Sequence, residues 1–287
     1  MSDDDKKSSE KFPGENNTGH IWDDNLRELL NDPPTWWRIG LHASWIFVLV
    51  YTLLYPSWPW IDTHFKGILG WTSIQEYKQS KQEIDDIRAP YENKITSKSA
   101  SEILADDELS TYVVRSAKVL FGENCAACHG VGGQGISGFP VLADDDWLYG
   151  GGIADIETSI AAGRQGMMMA HDSMLSDTEV DKLANAVMAR SVTEEPLYME
   201  KGCIGCHGAD GKGMSFMGST NLTDGIYRFT ATDQLASIKQ IIRYGVNDPG
   251  HEKTRNAVMP AFAEINKLSE SEIKKLAVYV HKLGGGQ

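Results

Sequence analysis

One eleven-residue pattern occurs twice in the chain. Residues 125 to 135 read CAACHGVGGQG and residues 203 to 213 read CIGCHGADGKG, so both fit C-x-x-C-H-G-x-x-G-x-G. These stretches hold all 4 cysteines of the chain. A C-x-x-C pair serves as a zinc half-site, a thiol redox couple or an anchor for covalent haem. A zinc ribbon takes four thiolates from two such knuckles. It needs no histidine after each pair, and the 74 residues between Cys128 and Cys203 far exceed ribbon spacing. A thioredoxin-like pair belongs at a strand-helix junction of a βαβ unit, for which no pattern is present. Disulfides between the pairs are less favoured still. Histidine directly after the second cysteine, at His129 and His207, marks attachment of c-type haem. The two thiols add to the porphyrin vinyl groups as thioethers, and the adjacent imidazole reaches the iron. This spacing places both sulfurs and the ring nitrogen on one helical turn. The reading predicts two covalently bound haems c, one on Cys125 and Cys128, the other on Cys203 and Cys206, with His129 and His207 as iron ligands.

A second match follows each motif. LSDTEVDKLANAV from Leu175 and LSESEIKKLAVYV from Leu268 share L-S-x-x-E-apolar-x-K-L-A-x-x-V. Ser176 and Ser269 are positioned to cap a helix, and Glu179 and Glu272 complete a capping box. Val180, Leu183, Ala184 and Val187 then fall at i, i+3, i+4 and i+7, as do Ile273, Leu276, Ala277 and Val280. Ahead of the first motif, LSTYVVRSAKVLFGEN places Val113, Val114, Ala117 and Leu120 on one helical face. Ahead of the second, TEEPLYMEKG is a shorter and less regular helix candidate. Gly-rich loops join these helices without a convincing strand ladder.

Each iron needs a ligand on its far face, and a thioether there raises the potential relative to bis-histidine ligation. In the second module NAVMPAF offers Met259, with Pro260 holding the loop extended. In the first, GRQGMMMAHDSM offers Met167, Met168, Met169 and Met174, with His171 as a rival. Most of these are core filler, and loop length does not choose among them. Met214 and Met217 follow His207 too closely to wrap round a haem edge.

Upstream, Ile39 to Ile61 contains no Asp, Glu, Lys or Arg across 23 residues. As a helix it would span about 35 Å, enough for a bilayer core of roughly 30 Å. Trp36 and Trp37 stand at one end, and Tyr55, Trp58 and Trp60 at the other, where aromatic rings favour the headgroup region. Pro56 and Pro59 close the helix. A buried helix of a soluble protein and a cleaved signal peptide fit less well, the latter because an acidic tail precedes the run. Arg27 and Arg38 on one side balance Lys66, Lys78 and Lys81 on the other, so charge does not set the orientation. Covalent haem attachment does: it takes place outside the bacterial inner membrane, which puts residues 62 to 287 in the periplasm and the first 38 in the cytoplasm. The net charge of −13 argues against a nucleic-acid partner. It suits solubility and a basic protein partner.

The expected architecture is all-α, with one N-terminal transmembrane helix followed by two tandem cytochrome c domains. Residues 1–38 form the N-terminal segment, 39–61 the membrane helix, 62–108 a charged linker broken by Pro90, 109–191 the first domain and 192–287 the second.

TGHIWDDNLREL, then PPTWWRIG, a single span ending LYPSWPW, and GFPVLADDDWLYGG after the first motif together define a family likeness. The chain resembles the dihaem cytochrome c subunit (subunit III) of cbb(3)-type cytochrome c oxidases, from about Thr18 to the C-terminal helix. The resemblance implies that Cys125, Cys128, His129 and Cys203, Cys206, His207 carry two haems. It matches the family's Met-Pro-Ala ligand loop to Met259-Pro260-Ala261, and in the first module to Met168-Met169-Ala170, where Met169 replaces the usual proline. The pairing stays open: each methionine serves its own module's haem, or, as in family members, Met168 serves the second and Met259 the first. The resemblance further implies a non-catalytic, electron-accepting subunit. Its partners are a soluble or membrane-bound cytochrome c donor, a monohaem cytochrome c subunit and a catalytic haem-copper subunit that reduces oxygen and pumps protons.

Two rival functions use the same domains. A free-standing membrane dihaem cytochrome could serve a periplasmic dehydrogenase, but it has no need of the patterned GHIWDDNLREL segment. A dihaem peroxidase would need one iron with an open or displaceable site.

Overall fold

The structure is a computed structural model that describes residues 14–23, 25–59, 63–265 and 267–286. Residues 1–13 of the expected N-terminal segment, Asp24 within its family-like stretch, and Trp60 and Ile61 at the end of the apolar run lie outside the described residues. The chain divides into two compact units, Met1–Asp85 and Asp86–Gln287.

In the first unit, strands β1 (Asn17–Trp22) and β2 (Leu26–Leu29) form an antiparallel hairpin. The hairpin departs from the all-α expectation only in this short segment. Asp23 makes the turn with φ at 47°, a left-handed conformation that aspartate tolerates better than most residues. Arg27 pairs with Glu15 across the hairpin. Helix α1 (Thr35–Leu54) follows Pro33 and Pro34, and proline at a helix entrance forfeits no intrahelical bond. It is the one helix among the described residues long and apolar enough to cross a membrane. None of its residues is buried, and Trp36 is 74% exposed. The apolar run is helical only to Leu54, because Pro56 ends the ladder and the chain folds back. The Ile68 and Leu69 amides then donate to the carbonyls of Leu53 and Leu54, groups that a helix end otherwise leaves unpaired.

Helix α2 (Ser73–Ser97) runs through 25 residues with Pro90 inside it. Pro90 therefore does not break the linker as expected. It sits on an exposed face, where a missing ladder bond costs less than in a buried helix.

The second unit holds α3 (Ala100–Ala105), α4 (Asp107–Asn124), α5 (Ala126–His129), α6 (Ile153–Ala162), α7 (Asp177–Met188), α8 (Pro196–Glu200), α9 (Ile204–His207), α10 (Gln234–Tyr244) and α11 (Glu270–His281). Both expected capping boxes are present. The Ser176 amide donates to Glu179 at 2.8 Å and the Ser269 amide to Glu272 at 2.8 Å. Ser99 and Glu102 form a third, ahead of α3. The apolar faces expected for α7 and α11 are buried, every one of their eight residues included.

The hydrophobic cores do not follow the sequence repeat. One core joins Ile95, Ile103, Val113 and Phe121 from the early helices, and Ile160 from α6, to Leu276 of the chain's last helix. The other joins Val180, Leu183 and Val187 of α7 to Val192, Tyr198 and Ile238 of the second repeat. Helix α11 packs on α4 and α6, and α7 packs on α10. The terminal helix of each repeat thus completes the core of the other.

Because α11 is enclosed by α3, α4 and α6, even Lys274 and Lys275 are only 9% exposed. Lys274 pairs with Glu270 one turn earlier, at 2.7 Å. Lys275 donates to both Glu92 oxygens at 3.0 Å, and Tyr112 donates to the same carboxylate at 2.7 Å. Tyr91 stacks on Tyr112 with ring centroids 4.5 Å apart. This network ties the second half of α2 to the last helix. Removing Glu92 strands the ammonium of Lys275, so Glu92→Ala is expected to cost about 1–3 kcal/mol. Thermal unfolding followed by far-UV circular dichroism checks it. Adding Lys275→Met to that variant is expected to restore part of the loss, since no charge is then left unpaired.

Candidate haem-binding site

The two attachment motifs fold alike. The Cys125 carbonyl accepts from the amides of Cys128 and His129 at 3.1 and 2.9 Å. The Cys203 carbonyl accepts from Cys206 and His207 at 3.2 and 3.0 Å. Each C-x-x-C-H is thereby wound into one turn, α5 in the first motif and α9 in the second. The next loop is fixed by Gly135 donating to the His129 carbonyl and Gly213 to the His207 carbonyl, both at 2.8 Å.

The histidines are set by their outward nitrogens. His129 Nδ1 lies 3.0 Å from the Pro140 carbonyl oxygen and His207 Nδ1 lies 2.9 Å from that of Thr220. A carbonyl only accepts, so Nδ1 carries the proton in each ring and Nε2 keeps a free lone pair. Burial lowers both imidazole pKa values, the carbonyl bonds oppose it, and nearby Arg228 (for His129) and His171 (for His207) lower them further. The neutral ring is the form that ligates a metal.

No disulfide joins the four cysteines; Cys125 and Cys203 are half-buried and Cys128 and Cys206 exposed. Burial, with a smaller contribution from Cys128, pushes the Cys125 thiol up to about 11, and burial also raises Cys203. Among the described residues no three His, Cys, Asp or Glu side chains gather as a metal cluster.

Both motifs open on one continuous cavity of about 690 Å³, which Met168 and Met259 also line. In the two methionine loops alternate residues turn inward. Met168 is half-buried while Met167 and Met169 are 65% and 55% exposed, and Met174 is 52% exposed. Met259 is likewise half-buried, and its neighbour Val258 is 48% exposed.

Each methionine loop is bonded to the opposite repeat. Met259 and Arg164 exchange backbone bonds at 2.9 and 3.0 Å, just beyond α6. Met168 and Val246 exchange theirs at 2.9 Å each, just beyond α10. The approach is close enough to require glycine at both helix ends. A Cβ on Gly163 would stand 2.5 Å from the Met259 oxygen, and one on Gly245 would stand 2.2 Å from the Met168 oxygen. Both glycines also have positive φ, at 68° and 69°. Met259 packs against the same core as Cys125.

His171, the rival ligand of the first module, lines the cavity, and among the described residues its buried Nδ1 has no hydrogen-bond partner. Arg228 lines it too, where burial lowers its pKa against the pull of Tyr149 and Asp146. Arg164 lies 4.4 Å over the Tyr149 ring. Sequence reasoning missed Arg228 and Arg164, because single arginines carry no periodic signal. These residues fit haem c: thiols to bond it, imidazole and thioether atoms for iron, an apolar interior for the porphyrin and buried cationic or donor groups for its polar edge.

A mostly helical fold with two C-x-x-C-H turns opening on an apolar cavity defines a c-type cytochrome. Three family models match in order along the chain. The N-terminal domain of cytochrome oxidase-cbb3, FixP, matches residues 14–62; cytochrome c oxidase, cbb3-type, subunit III, matches 113–185; and cytochrome c matches 195–284. The cbb3-type cytochrome c oxidase subunit FixP of Azorhizobium caulinodans is 37% identical over 96% of this chain and 94% of its own length. FixP of Bradyrhizobium diazoefficiens is 33% identical over 99% of both chains, and CcoP of Azospirillum sp. is 34% identical over 97% of this chain and 98% of its own. The chain belongs to the FixP/CcoP family of cbb3-type cytochrome c oxidase subunits.

Proposed function

We propose that this chain is the electron-entry subunit of a cbb3-type oxidase, carrying two haems c and relaying electrons without catalysing a reaction of its own. The observation that carries the reading is the crossed pairing of the methionine loops over a cavity shared by both attachment turns. Cys125 and Cys128 hold one haem and Cys203 and Cys206 the other. His129 and His207 present unprotonated Nε2 atoms to the irons. Met259 is the sixth ligand of the first haem and Met168 that of the second. Bound haem supplies a one-electron iron couple. The residues around it set its potential through thioether ligation and burial. Arg228 is placed to balance the negative carboxylates of a porphyrin edge.

Helix α1 anchors the chain in the inner membrane as a single pass, with the haem domains in the periplasm and the N-terminus in the cytoplasm. The donor is a soluble or membrane-bound cytochrome c. Its basic face would meet the net charge of −13 on this chain. The acceptors are a monohaem cytochrome c subunit and the catalytic haem-copper subunit.

Affinity purification from native membranes is expected to recover a haem-copper subunit, and a pyridine haemochrome assay to give two haems c per chain. Recovery without any haem-copper subunit would favour a free-standing membrane cytochrome. Fewer than two haems would overturn the ligand assignment.

A further inference from the structure

We propose that Asn247 is a positioning residue for both methionine ligands at once, so that one amide sets the iron–sulfur geometry of two haems. The inference rests on Met168 and Met259 being those ligands. Asn247 is 8% exposed and has φ at 51°, a left-handed conformation in which asparagine is enriched. Its Oδ1 accepts the Ala257 amide at 2.8 Å. Its Nδ2 donates to the Ala257 carbonyl at 2.9 Å and to the Gly166 carbonyl at 2.7 Å. Ala257 stands two residues before Met259, and Gly166 two residues before Met168. In these alternating loops the anchored residue and the methionine therefore turn to the same side.

The neighbours of Asn247 complete the arrangement. Val246 is the residue paired with Met168 in both directions, and Asp248 Oδ2 accepts the Ala170 amide at 2.7 Å. The Met168 loop is thus held before, at and after the sulfur-bearing residue. The Asn247 amide N–H also donates to the Arg255 carbonyl at 2.7 Å, so its own backbone is tied to the Met259 loop. Both hydrogens of the side-chain amide are committed, one to each loop, and a planar group cannot move toward one partner without leaving the other. Groups behind a ligand orient it and tune the metal. Here the same group stands behind two ligands.

The test uses the full-length, haem-loaded chain. Asn247→Gly keeps the positive φ without strain and deletes only the side-chain bonds. Asn247→Asp keeps size and the acceptor for Ala257 but turns an oxygen toward two carbonyls. Both variants are expected to keep two covalent haems while weakening the thioether-to-iron charge-transfer band and shifting both waves of a redox titration to lower potential. Met168→Ala and Met259→Ala, run alongside, should each displace one wave. If the asparagine variants move only one wave, or neither, while the methionine variants behave as stated, Asn247 has no joint role. If neither methionine variant loses the band, the ligand reading itself is wrong and the inference falls with it.

Discussion

Met259→Ala is expected to turn the haem at Cys125 and Cys128 high spin and lower its potential, while the haem at Cys203 and Cys206 keeps its low-spin spectrum. Met259 belongs by sequence to the second repeat, so a chain of independent modules would give the opposite result. The expectation rests on Met259 exchanging backbone bonds with Arg164 and packing against the core that holds Cys125. Axial ligation commands roughly 0.8 V of the range of haem potentials, so loss of a thioether is a large perturbation in a redox titration. Paired variants decide which haem is affected. His129→Ala with Met259→Ala should disturb one haem. His207→Ala with Met259→Ala should disturb both. The reverse outcome would falsify the crossed assignment.

A chain ended at Leu268 is expected to lose its first haem site and retain its second. The truncation removes α11, and with it Ile273, Leu276, Ala277, Val278, Tyr279 and Val280 from the first core. Leu276 and Ala277 are 0% exposed, and a Leu→Ala change alone at such a site costs about 2–5 kcal/mol. Losing the whole helix exceeds what a domain stable by roughly 5–15 kcal/mol can absorb. The second core takes its last buried residue from Ile238, well before the cut. A haem-stained peptide map of the truncated protein checks this: haem should remain on the fragment with Cys203 and Cys206 and vanish from that with Cys125 and Cys128. Equal loss from both, or loss only from the second, would show that the cores are not exchanged as described.

The attachment turns, both terminal helices and their caps were legible because each depends on residues within a few positions of one another. Ser176 with Glu179, and Val180 with Leu183, are local facts that any packing partner leaves intact. What the terminal helices pack on was not legible. Their sequences follow one pattern, so either helix suits either core by periodicity, and the choice is made by contacts across the two repeats. Met168 was selected by likeness rather than by its own chemistry; in the structure it is the burial alternation along residues 166–170 that separates it from Met167 and Met169. Pro90 misled because proline usually ends a helix, and only its exposed position in the fold makes the lost bond cheap. The hairpin at Asn17–Leu29 was hidden by its brevity and by polar residues on both strands. Asn247 had no signal at all, since one amide bonding residues 81 positions earlier and 10 later belongs to no local pattern.

The exchange of terminal helices also constrains how the molecule is made. A nascent chain delivers Cys125 and Cys128 more than a hundred residues before α11 emerges. The early helices must wait for the last one to close their interior, and until then their apolar faces stay open to solvent. The first core therefore closes only when α11 packs on α4 and α6, after the second attachment motif has already been made.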